Sequence, residues 1–280
     1  MQKIRFLKHL GQNFLIDKNV VRKIIKTAEL KSTDIVLEIG PGPGVLTKEI
    51  AKYVKGVIAV EKDPRMIEIL KENLKEFKNI KIIQGNILKF NFQFSIPNFQ
   101  SISNDSIFKN YKIVANLPFY ITAPAIRKFL ESENPPKTMV LIIQKEMAQR
   151  ICAKPPKMNL LAVSVQFYAK PKIISYVPKK SFKPKPKVDA AIIKIAPQNK
   201  NRGRASADAF FRIVRAGFSH PRKQLVNNLL ALNLPNGLKL NKKELSALLL
   251  KHGIKTSQRA ETLTIDDWLK LSKMLNPVRD

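Results

Sequence analysis

Asn116-Leu117-Pro118-Phe119 closes the apolar run Lys112–Ala115, and these residue types in this order can hold an amine. Proline fixes its own φ and biases the preceding residue toward an extended conformation, so the Leu117 carbonyl is kept out of a helix. With the Asn116 side-chain oxygen it offers two acceptors that can converge on one nitrogen. Phe119 adds a flat ring on which a base can stack. The same residues have a plainer reading, in which Asn116 caps the next helix and Phe119 belongs to the core.

A second constellation lies upstream. EIGPGPG, Glu38 to Gly44, stands where a strand gives way to a helix, and its glycines let the backbone turn tightly against a ligand. Glu61 ends the next apolar run about 20 residues on, the usual place for a carboxylate that receives ribose hydroxyls. An ordinary strand-to-helix turn and a solvated strand-end charge are the plain alternatives. Nicotinamide cofactors use a similar layout, although here the third glycine is displaced and Pro41 and Pro43 stiffen the loop. The Asn116–Phe119 segment discriminates. An exocyclic base amine delocalises its lone pair into the ring, and hydrogen bonds to two acceptors favour a pyramidal nitrogen. Alignment with a sulfonium electrophile then replaces a strong general base.

The charge balance agrees with a polyanionic partner. Fifty-one Lys and Arg against 21 Asp and Glu leave a formal charge of +30, which draws a protein toward nucleic acid. Seven lysines between Lys170 and Lys187 meet no acid, and Phe182 sits among them. Lys180, Phe182 and Lys183 are therefore candidate RNA contacts, against the alternative of a solvated Lys/Pro loop. No apolar run reaches the roughly 18 residues that span a bilayer, and the first residues lack the apolar region of a signal peptide. A cytoplasmic monomer without a membrane partner is expected. Cys152 is the single cysteine, read as a core thiol, and the three histidines have no partners at metal-ligand spacing, so no metal is expected.

These groups need a scaffold. Ile35–Gly40, Val57–Glu61 and IKIIQG read as strands separated by helical patterns, giving βαβαβ and a parallel, doubly wound sheet. Lys112–Pro118 and Met139–Gln144 add two strands, with APAIRKFLE as a helix between them. IISYVP and VDAAIIKIA read as a closing pair, and Asp17–Leu30 as a helix with Val20, Val21, Ile24, Ile25 and Ala28 on one face. The polar stretch between Asn86 and Tyr111 reads as a surface insertion. From about Gln198 a charged linker leads into helical patterns only. The expected division is a catalytic domain over 1–197 and a helical domain for RNA or ribosome recognition over 205–280.

With these residues in view, the chain resembles the KsgA family of small-subunit ribosomal RNA adenine N6,N6-dimethyltransferases. The likeness runs through HLGQNFL (His9 to Leu15), EIGPGPGVLT, VEKD (Val60 to Asp63), QGNIL, NLPFYIT, FKPKPKVDA, FSHPRKQLVNNL (Phe218 to Leu229) and RAETLT (Arg259 to Thr264). It implies a Rossmann-like class I methyltransferase domain that uses S-adenosylmethionine, with a small all-helical C-terminal domain. It also implies two adjacent adenosines near the 3′ end of 16S rRNA as substrate, during ribosome biogenesis. By resemblance Asn13 and Leu15 close over the cofactor, Gly40 meets its amino-acid portion, Glu61 its ribose, Asn86 its adenine, and Asn116 its methyl-donor end. Asn116, Leu117, Pro118 and Phe119 are the catalytic segment. The family usually has aspartate where Asn86 stands and tyrosine where Phe119 stands. The asparagine is expected to accept through its oxygen without the charge, and the ring to keep its stacking face. The related Erm family, acting on 23S rRNA, shares the QNF and NLPF patterns. A binding protein without activity on the same fold is the remaining alternative.

Overall fold

The computed structural model describes residues 12–90, 110–198, 204–232 and 240–275. Most of the polar stretch expected as an insertion (91–109) and most of the linker (199–203) lie outside the described residues. In chain order the strands are β1 (Phe14–Leu15), β2 (Ile35–Ile39), β3 (Gly56–Glu61), β4 (Ile80–Gln84), β5 (Tyr111–Asn116), β6 (Thr138–Gln144), β7 (Ala169–Val177), β8 (Phe182–Lys183) and β9 (Ala190–Pro197). The α-helices are α1 (Lys18–Ala28), α2 (Val45–Ala51), α3 (Pro64–Asn73), α4 (Thr122–Leu130), α5 (Lys145–Ile151), α6 (Leu160–Tyr168), α7 (Arg204–Gly217), α8 (Leu225–Leu229), α9 (Lys242–Lys251) and α10 (Ile265–Leu275).

Seven strands form one sheet in the order β4-β3-β2-β5-β6-β9-β7. From β4 to β6 neighbours are parallel, and β9 joins β6 and β7 antiparallel as the closing pair. β2 and β3 are buried at every position, which explains their continuous apolar runs. α1 starts at Asp17, whose carboxylate accepts from the Asn19 and Val20 N–H groups, and it turns Val20, Val21, Ile24 and Ala28 into the core. β2 feeds β3 on one side, while β5 lies on its other side. The carboxyl ends of these strands therefore open at the reversal of strand order, where such sheets bind ligands.

The chain divides into two compact units: residues 1–149 with 169–198, and residues 150–168 with 199–280. This differs from a single break near residue 198, because α6 packs with the second unit. Ala162, Val163 and Phe167 are buried among Phe210, Val214, Leu225, Leu249, Leu263 and Trp268. Apart from Ser164 and Gln166, α6 is apolar around its circumference, as suits a helix packed from several directions. No described helix is long and apolar enough to cross a membrane.

Candidate active site

An open cleft of about 860 Å³, counted to its mouth, lies along the carboxyl ends of β2, β3, β4 and β5. It brings together Asn13, Gly40, Glu61, Asn86 and the whole segment Asn116–Phe119, which the sequence spreads over more than 100 positions.

The glycine loop forms the floor. Gly40 and Gly42 sit at φ of +63° and +57°, left-handed conformations that a side chain disfavours. A Cβ on Gly42 would lie 2.5 Å from the Phe14 ring, so the loop is closely overlaid as well as turned. Glu61 is buried and braces this loop. Its Oε2 accepts the Gly42 N–H at 3.1 Å, and its Oε1 accepts those of Lys62 and Asp63 at 2.8 Å each. Burial raises its pKa, and these backbone N–H groups act in the opposite sense. Beneath the loop, Glu38 is 1% exposed and its Oε2 has no hydrogen-bond partner. Burial, assisted by the neighbouring Glu61 charge, pushes its carboxyl up to about 8.

The N-terminal segment straps the open side. Gln12 donates to Asp63 at 2.8 Å, while the Ile16 N–H donates to the Ser181 carbonyl and the Ser181 hydroxyl to Asp17, both at 2.9 Å. Asp63 also receives the Arg65 guanidinium, whose hydrogen bonds hold its carboxyl down at about 2. Strand β1 pairs antiparallel with β8, placing Leu15 opposite Phe182.

That pairing bears on two expectations. Leu15 packs its side chain in the core, 4% exposed, which leaves its backbone to meet the cofactor expected there. Phe182 is 3% exposed in the same core, so its ring is not available to RNA despite the lysines around it. Its two-residue strand holds the strap instead. Lys180 and Lys183 are exposed, as a phosphate contact requires.

At the other end of the cleft Asn116 does not cap a helix. The next helical turn begins after Pro118, and the Asn116 amide donates instead to the Asn13 carbonyl at 2.9 Å. This fixes which side of the amide is nitrogen and leaves its oxygen without a partner among the described residues. Leu117 buries its side chain, its N–H donates to Ile142, and Pro118 follows at φ −54° and ψ 129°. Phe119 is half-buried: it lines the cleft and also packs on the core.

Gln12, Phe14, Lys62, Ile87, Leu88 and Tyr120 also line the cleft, and sequence reasoning passed over them. For Tyr120 a signal was present, since it follows Phe119 directly; it is 54% exposed at the rim. Glu38 was quoted only as part of the glycine motif, and its burial is a tertiary effect.

The donor set fits an adenosyl sulfonium cofactor. Gly40 and Gly42 present backbone to the cleft, Glu61 is a buried acceptor beside that loop, and Asn86 stands at the far strand end with polar capacity to spare.

A family model described as ribosomal RNA adenine dimethylase matches residues 3–276. The chain belongs to that family. A ribosomal RNA small subunit methyltransferase A of Dehalococcoides mccartyi is 44% identical, the match covering 96% of this chain and 88% of the relative. A protein of the same name from a Geobacillus species is 39% identical over 98% of this chain and 92% of its own length. Among solved structures, the 23S rRNA methyltransferase ErmE superposes with a TM-score of 0.74 at 25% identity, covering 94% of this chain and 99% of the other. A dimethyladenosine transferase from Plasmodium falciparum also gives 0.74, at 28% identity, with 92% and 95% covered. The fold is thus that of Rossmann-like methyltransferases with an appended helical region, and the protein is a ribosomal RNA adenine dimethyltransferase.

Proposed function

We propose that this enzyme transfers methyl groups from S-adenosylmethionine to the exocyclic amines of two adjacent adenosines near the 3′ end of 16S rRNA, during small-subunit biogenesis. The observation that carries the reading is the convergence of Asn116, Leu117, Pro118 and Phe119 on one end of a cleft whose other residues are Gly40, Glu61 and Asn86. When bound, the cofactor supplies an activated methyl on a sulfonium.

The chain's own residues do the rest. Glu61 and the glycine loop hold the ribose and amino-acid portions, Asn86 faces the base, and the strap from Gln12 to Phe14 covers them. The Asn116 oxygen and the Leu117 carbonyl accept hydrogen bonds from the target amine and orient its lone pair. Alignment carries the chemistry, because a hydrogen-bonded amine in line with a sulfonium methyl needs no strong base. Phe119 stacks on the adenine once it leaves the RNA stack.

Lys180 and Lys183 bind phosphate. So does the exposed loop His220–Gln224 of the helical unit, whose start is held by Asn228 through hydrogen bonds from its amide to the Gly217 and His220 carbonyls at 2.6 and 3.0 Å. The small-subunit assignment rests on the names of relatives near 40% identity, whereas structural likeness alone includes a 23S enzyme. The test is methyl transfer from labelled cofactor to unmodified small and large ribosomal subunits, with the modified nucleotides mapped. Label in two adjacent adenosines of the small subunit is the expected result, and label in the large subunit alone would reverse the assignment.

A further inference from the structure

We infer that Gln12 is a positioning residue for methyl transfer: tied to Asp63, it fixes the backbone at Asn13, and through the Asn13 carbonyl it sets the orientation of the Asn116 amide. The inference rests on the role proposed above for Asn116.

The anchor sits just past β3. Asp63 is 4% exposed and starts α3, its Oδ1 accepting the backbone N–H and the Nε of Arg65 at 3.1 and 3.0 Å. Its Oδ2 accepts the Arg65 Nη2 and the Gln12 Nε2 at 2.6 and 2.8 Å. The bond from Gln12 thus ends on a carboxylate, and such charge-assisted bonds are roughly twice as strong as neutral ones. Arg65 grips the same group by three donors, so the acceptor that Gln12 meets is held in place.

Asn13 lies between two anchors. Upstream is the bond from Gln12 to Asp63. Downstream, Phe14 and Leu15 pair with Lys183 and Phe182, and the Ile16 N–H donates to the Ser181 carbonyl at 2.9 Å. A peptide group clamped on one side still turns about its φ and ψ, whereas one clamped on both sides points its carbonyl in one direction. That direction matters because the Asn13 carbonyl accepts the Asn116 Nδ2 at 2.9 Å. An amide is planar, so fixing its nitrogen fixes its oxygen.

The same run of bonds reaches the acceptor proposed for ribose. The Asp63 N–H donates to the Glu61 Oε1 at 2.8 Å, and Gln12, Asn13, Glu61 and Asn116 all line one cleft. In-line transfer depends steeply on placement, a misalignment of about 1 Å costing about 10²-fold. Loosening Asn13 on its upstream side should therefore slow transfer even when the cofactor is bound.

The experiment is a double-mutant cycle on the full chain. Single-turnover transfer from saturating S-adenosylmethionine to the ribosomal subunit that wild type methylates is measured for wild type, Gln12→Met, Asn116→Ala and the double variant. Methionine keeps the length of glutamine and removes the donor. Residues that act through one another are not additive, so Gln12→Met should slow wild type about tenfold but Asn116→Ala less than about twofold. An unchanged saturated rate in Gln12→Met, or the same fold-loss in both backgrounds, overturns the inference. A merely structural strap gives one of those two results, with any weakening confined to S-adenosylhomocysteine affinity. Gln12→Glu keeps the shape but cannot donate to Asp63, and should be as slow as Gln12→Met; a wild-type rate there also overturns the inference. It replaces Gln12→Met in the cycle should that variant not fold. Near-normal transfer by Asn116→Ala alone would instead overturn the reading of Asn116 on which the inference stands.

Discussion

The side-chain amide of Asn116 donates to the backbone carbonyl of Asn13 at 2.9 Å, joining residues 103 positions apart. One bond thereby ties Asn116 to the N-terminal strap and leaves its side-chain oxygen for the substrate amine of the proposed reaction. Asn116→Ala should lower the rate of methyl transfer about 10²–10³-fold, as loss of a preorganised transition-state contact does elsewhere. Cofactor affinity should change little, because Gln12 to Asp63 and Ile16 to Ser181 still hold the strap. Single-turnover transfer and cofactor titration on the same preparation check both halves, and near-normal turnover removes Asn116 from the chemistry.

Glu61 has two duties, and its removal should show both. It accepts three backbone N–H groups, one from the glycine loop and two from the turn that precedes α3, and it is the buried acceptor proposed for ribose. Glu61→Ala should lower stability by about 1–3 kcal/mol through those stranded donors. It should also weaken cofactor binding by more than this stability loss can explain at a temperature where the variant is fully folded. Urea unfolding and cofactor titration separate the two effects, and an unchanged dissociation constant would take Glu61 out of the binding site.

Much of this arrangement was legible in the sequence. The five parallel strands announced themselves as short apolar runs because both faces of the sheet are covered, and the segment Asn116–Phe119 falls at a strand end as read. Other features depend on contacts that no local pattern encodes. β1 is only two residues long and pairs Phe14 with Lys183, 169 positions away, so neither strand has a periodicity to detect. Phe182 was misread because flanking lysines dominate the local composition, while its burial is decided by Leu15 across that pairing. α6 escaped notice because an almost wholly apolar helix shows little amphipathic contrast.

Glu38 makes the fold sensitive to pH. Its folded value of about 8 lies above the ordinary 4.5, so the folded state holds this proton more tightly than the unfolded chain does. The resulting contribution is fully present below about 4.5 and is lost as pH rises through about 8. Glu38→Gln keeps a neutral side chain of the same shape at every pH. Its unfolding free energy should therefore fall less than that of wild type between pH 5 and pH 8, measured as the difference between the two proteins to cancel other titrations. Parallel curves for the two would mean that Glu38 is already charged in the folded state.

Phe119 and Phe182 were both candidates for contact with the substrate, and the structure separates them sharply enough for three substitutions to test. Phe182 is 3% exposed and packs in the core beneath the strap. Phe182→Ala should cost about 3–5 kcal/mol of stability, the usual loss for a buried phenylalanine. Any fall in RNA affinity should disappear when folded protein alone is counted. Phe119 lines the cleft with part of its ring and rests on the core with the remainder. Phe119→Leu keeps apolar bulk against the core but removes the stacking face, so it should lower transition-state binding by about 1–3 kcal/mol. Its melting temperature should move little. Phe119→Tyr preserves the face and should remain close to wild type in both respects, since a hydroxyl at a ring edge near the open cleft can reach water. Were Phe119 purely a core residue, the order would reverse: leucine would be tolerated, and tyrosine would bury an unpaired hydroxyl and melt early. Turnover and melting curves for the three variants, on RNA-saturated and RNA-free protein, decide between these patterns, and a fully active Phe119→Leu enzyme ends the stacking role.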